Sequence, residues 1–227
     1  RGLMRDVYSL LRGRNFETRV FEKELQNERI SELKKYVINS LDNTNWHYYL
    51  DLIQSSLGFK HKDLITSHTN FFYGYAFYLI GKLKFNLHYK ELDKIIKKWF
   101  LFGAITRRYS GSSETVFNGD LAEVRNTKNG IEFVKRLEEI TYSTLTEDYW
   151  KITAPSNLQS SSARNPLLLI FTAAQIKNNV NVLFSDKKIC DLFDPVVNPK
   201  KKKLERHHIF PKGYLKSIGI EERTMQN

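Results

Sequence analysis

One cysteine, Cys190, is all the thiol chemistry this chain holds. A disulfide framework is thereby excluded, and a structural zinc centre built on thiolates lacks its ligands. Long apolar runs are missing too. Phe71–Ile80 is interrupted by Gly74, and Leu167–Ala174 covers eight residues, where a bilayer-spanning helix needs about 20. The N-terminus shows none of the charged, apolar, then small pattern of a secretion signal. These absences lead to the expectation of a cytoplasmic setting with no membrane partner. Internal repeats are also absent, and Lys200–Lys203 is the only low-complexity element.

What is present suffices for a core. The 227 residues are 41% hydrophobic and 13% aromatic, enough for one large domain or two small ones and too apolar for global disorder. The chain opens on Arg1-Gly2 rather than Met and stops at Asn227 just after a motif that looks unfinished. It reads as a fragment of a longer protein.

The formal charge is +11, and its location matters more than its size. Lys82, Lys84, Lys90, Lys94, Lys97, Lys98, Arg107 and Arg108 face only Glu91 and Asp93 across one segment. A second basic segment runs from Asn198 to Asn227, and together the two account for the whole excess. Concentrated basic segments suit a polyanion, nucleic acid first, although a solvated helix face and a solvated loop would give the same count.

Helical spacing dominates the middle of the chain. Leu3, Val7, Leu10 and Leu11 recur with that period, as do Leu33, Tyr36, Val37 and Leu41. In Tyr89–Ile105 the stripe Leu92, Ile95, Ile96, Trp99, Phe100 and Gly103 leaves Lys94, Lys97 and Lys98 off it, which predicts a helix with one apolar and one basic side. Ile131, Val134, Leu137 and Ile140 repeat the pattern. Asn165-Pro166 predicts a helix start, and Leu167–Ile176 then reads as a buried helix. Ser56–Asn70 reads as a connection and Tyr142–Ser162 as a long loop. Tyr109–Ser113 reads as a turn, with Ser112 or Ser113 opening a helix through Val124. Asp194-Pro195 and Asn198-Pro199 punctuate the chain, and the helical period stops there.

The stretch richest in chemistry is Leu204–Leu215. Adjacent His207 and His208 end a short extended segment, Ile209-Phe210 would anchor the loop in a core, and Pro211 with Gly213 turns the chain. Hydrolysis of a phosphodiester needs a base that titrates near neutrality, a hard cation on the scissile phosphate, and cationic side chains along the backbone. Neighbouring residues on an extended segment point to opposite sides, so one imidazole can face a metal and the other a water. The pair also fits a surface pair, one satisfied half-buried histidine, or a simple phosphate contact.

The whole string "ERHHIFPKGYLKSIGI", Glu205 to Ile220, resembles the first half of the HNH (ββα-metal) nuclease motif in the version found in GmrSD-type restriction endonucleases. On that resemblance His207 is the metal ligand, replacing a frequent Asp, and His208 is the general base. Arg206 and Lys212 lie close enough to meet phosphates. The segment "RRYSGSSETVFNGDL", Arg107 to Leu121, after "WFLFGAITRR", is similar to the helical region that precedes this motif in the family. Physically, Arg107 and Arg108 leading into a Ser-rich helix start could make a phosphate-binding corner; equally, they could pair with acids such as Glu114 or Asp120.

The expected fold is therefore mainly α: a multi-helix, bundle-like domain over residues 1–193, then the start of an incomplete ββα-metal module over 194–227. With that module's partner strand and helix missing, Ile209, Phe210, Tyr214 and Leu215 are expected to be exposed or docked elsewhere. The expected function is that of part of a metal-dependent DNA endonuclease of prokaryotic restriction and phage defence, using Mg²⁺ or Mn²⁺, with catalytic His208 and His207. Lys200, Lys201, Lys202, Lys203, Arg206, Lys212, Arg107 and Arg108 would hold DNA. The resemblance implies a further partner, a nucleotide-binding domain of the same parent chain, and leaves room for an oligomer. The competing readings are a non-catalytic nucleic-acid-binding module and a helical scaffold that transmits a signal.

Overall fold

A computed structural model describes residues 38–39, 41–159, 162, 164–193 and 210–220. Among these the chain is mainly helical, and the sole β pairing is an isolated antiparallel bridge between Asn181 and Lys188. The expected helix around Leu3–Leu11, the expected helix over Leu33–Leu41 as far as Val37, and the start of the ββα module up to Ile209 lie outside the described residues; Leu41 is described and is 69% exposed. The described chain forms two compact units. One contains the described residues up to Leu57 together with Ser67–Thr146; the other contains Gly58–Thr66 and the described residues from Glu147 onward.

The first unit is built from α1 (Asn43–Asp51), α2 (His68–Leu79), α3 (Tyr89–Ile105), α4 (Ser113–Arg125) and α5 (Gly130–Thr144). Short polar side chains start α1, α2 and α5 by accepting otherwise orphaned backbone N–H groups, whereas Ser112, expected to cap α4, makes no such bond. Asp42 accepts from Thr44 N at 2.8 Å, Ser67 from Asn70 N at 3.1 Å, and Asn129 from Glu132 N at 2.9 Å. Glu132 reaches back to Lys128 N at 2.8 Å, so both sides of the α5 entry are held.

Aromatic residues fill the core. α2 is apolar nearly all round and buries Tyr73 through Leu79. α3 packs on it with the stripe read from the sequence, adding Phe102 to the buried set. Trp99, Tyr49, Tyr75, Tyr78, Phe77, Phe100, Phe117 and Phe133 are almost fully enclosed. Each such side chain contributes about 1.5–3 kcal/mol by leaving water. Phe117 of α4 stacks on Tyr73 at 3.9 Å between ring centroids.

Two local expectations need correcting. In α5 the buried positions are Phe133, Leu137 and Thr141, while Ile131 is 79% exposed. The stripe is rotated because Phe133, the larger group, takes the core. Tyr142–Ser162 is not one loop. α5 runs to Thr144, then a wide turn at Tyr149–Thr153 leads into α6 (Ala154–Leu158). Pro155 sits in the first turn of α6, where its missing N–H costs nothing.

In the second unit, α7 (Pro166–Lys177) starts as the sequence indicates, with Asn165 accepting from Leu167 N at 3.1 Å. It buries Leu169, Thr172, Ala173 and Ile176 but leaves Phe171 56% exposed, so it is buried on one side only. Gly58, at φ +83, comes so near α7 that a Cβ there would lie 2.1 Å from the Ala173 carbonyl oxygen. Only glycine meets both conditions. A tight loop around the Asn181–Lys188 bridge carries Phe184 at its tip, 94% exposed and at φ +59. The short helices α8 (Ile189–Phe193) and α9 (Lys212–Ser217) complete the described residues.

Candidate functional site

Of the residues nominated from the sequence, His207, His208, Lys200, Lys201, Lys202, Lys203 and Arg206 lie outside the described residues. Lys212 is the first residue of α9 and is exposed, directly after Pro211. Gly219, at φ +83, ends α9 with a bond from Ile220 N to the Leu215 carbonyl at 3.0 Å, the left-handed stop that glycine favours. Phe210 is 57% and Tyr214 53% exposed, their ring centroids 6.2 Å apart. Phe210 is thus not buried in a core, and the two rings pair on the surface.

Arg107 and Arg108 part company at the end of α3. Arg107 adopts φ +52 and is exposed, and Arg108 N returns to the Gly103 carbonyl at 3.1 Å. This is the same helix stop, with arginine in the place usually taken by glycine. It turns Arg108 inward. Its Nε donates to Asp120 Oδ2 at 2.9 Å, its Nη2 to Asp120 Oδ1, and Tyr109 Oη donates to Oδ2 at 2.8 Å. The guanidinium lies over the rings of Phe102 at 5.1 Å and Trp99 at 5.9 Å. Burial by itself would push the Arg108 pKa down, but the hydrogen bonds and charge of Asp120 outweigh it and raise it. Burial, then Asp120, holds the Tyr109 phenol well above its ordinary range. The arrangement is an ion-paired helix junction: Arg108 is occupied by Asp120 and stands apart from Arg107.

An open groove of about 480 Å³ adjoins this junction, lined among others by Arg108, Asp120, Glu123, Arg136 and Glu139. Arg136 is clamped between Glu123 and Glu139. Both guanidinium groups in the groove therefore already hold carboxylates, and an incoming anion would have to displace them.

The basic segment sorts itself in a similar way. Lys82 Nζ donates to Asn45 Oδ1 at 2.6 Å, and Lys98 Nζ to Glu138 Oε1 at 3.0 Å and Tyr142 Oη at 2.8 Å. Loss of water lowers the Lys84 pKa, and Arg125 lowers it further. Asp93 on α3 is engaged by Tyr48 of α1, whose hydroxyl sits 2.9 and 3.0 Å from the two carboxylate oxygens. Burial first, and then Asp93, push the Tyr48 phenol up to about 12. What remains on the outer side of α3 is a row of Lys90, Lys94 and Lys97, with no carboxylate partner among the described residues. Sequence reading did not single out Tyr48 or Tyr142, which bracket this row. Their partners are 45 and 44 residues away, and no local pattern announces such pairs.

No group of three or more His, Cys, Asp or Glu able to hold a metal occurs among the described residues, and no helix among them is long and apolar enough to cross a membrane. An uncharacterised protein of Methanocaldococcus jannaschii is 30% identical over 137 residues, covering 60% of this chain. The chain spans about a fifth of that relative's length, the matched part being 21% of it. No family model and no solved structure matches the chain.

Proposed function

We propose that the chain is part of a metal-dependent HNH endonuclease that hydrolyses DNA phosphodiesters in prokaryotic restriction and phage defence. The observation that carries this reading is the string Glu205–Ile220, in which a His-His-Ile-Phe-Pro core stands between basic residues. His207 is the residue to hold a divalent cation, Mg²⁺ or Mn²⁺, which when bound neutralises charge on the scissile phosphate. His208 is the general base that takes the proton of the attacking water. His207 supplies one donor, and a hard cation that prefers six ligands, most of them oxygen, needs carboxylates or water beside it. Lys212, exposed at the first position of α9, supports the reading as a phosphate contact.

The test is cleavage of linear duplex DNA by the parent protein with Mg²⁺ or Mn²⁺. His208→Ala is expected to abolish cleavage and leave DNA affinity nearly unchanged. Cleavage at the wild-type rate by His208→Ala would overturn the assignment. A second reading, a basic nucleic-acid-binding module without catalysis, is favoured by the lysine row of α3. Metal-independent binding with a steep salt dependence, and no cleavage by the parent protein, would select it.

A further inference from the structure

The outer face of α3 concentrates charge in a way that the fold itself does not use. Lys90, Lys94 and Lys97 stand at successive four- and three-residue steps, so their side chains form one row along the helix. Like charges at these steps oppose helix formation by about 0.2–0.5 kcal/mol per pair. None of the three lysines forms an ion pair among the described residues. The acids at its margins are not ion-paired with it: the Asp93 carboxylate accepts from the Tyr48 hydroxyl, Glu138 pairs with Lys98, and Glu91 is exposed. Tyr48 and Tyr142 border the row, 39% and 61% exposed, with the Lys98 ammonium 3.9 Å from the centroid of the Tyr142 ring.

The helix beneath is rigid. It is capped at its start by His88 and at its end by the left-handed Arg107, and its apolar face is locked by Trp99 and Phe100. The ammonium groups are therefore presented on a fixed line rather than on a loop. At about 1.5 Å of rise per residue the three span roughly 10 Å. That length lets them meet successive phosphates of one strand edge without reading bases.

We infer that Lys90, Lys94 and Lys97 form a ridge that binds the sugar–phosphate backbone of duplex DNA, independently of base sequence. This inference rests on the reading of the chain as part of a DNA-acting protein, and it places the docking surface on the helical unit rather than at the histidine string. No carboxylate among the described residues forms an ion pair with the row, which leaves its ammonium groups open to phosphates. Each ammonium that meets a phosphate releases a counterion, so binding has a steep but sequence-blind salt dependence.

The experiment uses the whole 227-residue chain and a fluorescein-labelled duplex, read by anisotropy across a salt series. K90Q/K94Q/K97Q is expected to weaken binding about tenfold or more and to flatten the log–log salt slope by roughly 2.7, about 0.9 per lost contact. K90R/K94R/K97R should restore both. The control Lys135→Gln, on an exposed lysine already near Glu139, should change neither. Circular dichroism and melting of the triple variant check that the fold is kept; the residues are on the surface and the substitution removes helix-face repulsion. Unchanged affinity and slope in the triple variant overturn the ridge while leaving the His208 cleavage test untouched. Absence of duplex binding by the whole chain overturns it as well. Equal affinity for poly-glutamate, with the same sensitivity to the triple variant, also overturns it, because the row would then take any polyanion.

Discussion

Gly103 of α3 stands directly against the side chain of Asn70 of α2: a Cβ at position 103 would lie 1.9 Å from Asn70 Oδ1. Asn70 Nδ2 donates to the Phe100 carbonyl at 3.0 Å, and its Oδ1 is buried without a hydrogen-bond partner. The missing Cβ is thus what allows an amide to lie between the two central helices. Gly103→Ala is expected to cost about 1–3 kcal/mol despite the better helix propensity of alanine. In an Asn70→Ala background the same change should cost clearly less. Denaturant unfolding of the four chains measures the coupling, and strict additivity would disprove the contact.

Asp120 accepts from both the half-buried Arg108 guanidinium and the buried Tyr109 hydroxyl. Asp120→Ala should destabilise the chain by about 3–5 kcal/mol, because it strands a half-enclosed cation. The double change Arg108→Met with Asp120→Leu should recover a large part of that loss, since neither charge then remains. Equilibrium unfolding gives both numbers.

The tyrosines predict behaviour in alkali. Tyr48 and Tyr75 are pushed up to about 12 from an ordinary 10.0, in both cases chiefly by burial, and burial also holds Tyr49 and Tyr109 well above that ordinary value. Above pH 10 the unfolded chain has lost phenolic protons that the folded chain retains. Folding then has to take those protons up again, so stability present below pH 10 falls as pH rises toward 12. Unfolding midpoints measured from pH 9 upward should drop together with the appearance of tyrosinate absorbance. A flat stability profile across that window would contradict the burial of these phenols.

Left-handed backbone at non-glycine residues gives a prediction of the opposite sign. Asn86 and Asn179 tolerate such angles, but Arg107 at φ +52 and Phe184 at φ +59 do so at a cost. Phe184 is 94% exposed, so little packing is lost by removing it. Arg107→Gly and Phe184→Gly should each stabilise the chain by about 0.5–1 kcal/mol, read as higher melting temperatures.

Much of the helical framework was legible from residue pattern. The α3 stripe, the Asn165-Pro166 start and the turn before α4 are each written in a few neighbouring residues, because caps and periodicity are local. The rotated face of α5 was not legible, since Phe133 and Ile131 are both apolar and only their tertiary neighbours rank them. The separation of Arg107 from Arg108 was hidden for a related reason: arginine gives no sign that it will occupy a glycine-type helix stop. The bracketing of the lysine row by Tyr48 and Tyr142 depends on contacts across more than forty residues, which no local spacing encodes. His207 and His208, the chemical centre of the sequence reading, fall outside the described residues, and their roles stand on the resemblance of the string.

The carboxyl end of α2 does not stop at a simple cap but widens into the turn Ile80–Lys84, where Phe85 N binds the Ile80 carbonyl at 3.3 Å and Leu87 N binds that of Gly81 at 3.0 Å. Amides at such a terminus are tied back into the preceding turn instead of fraying. Deuterium exchange should therefore be slow past the last α-helical residue, through Phe85 and Leu87, so that the hairpin from α2 to α3 opens as one cooperative block.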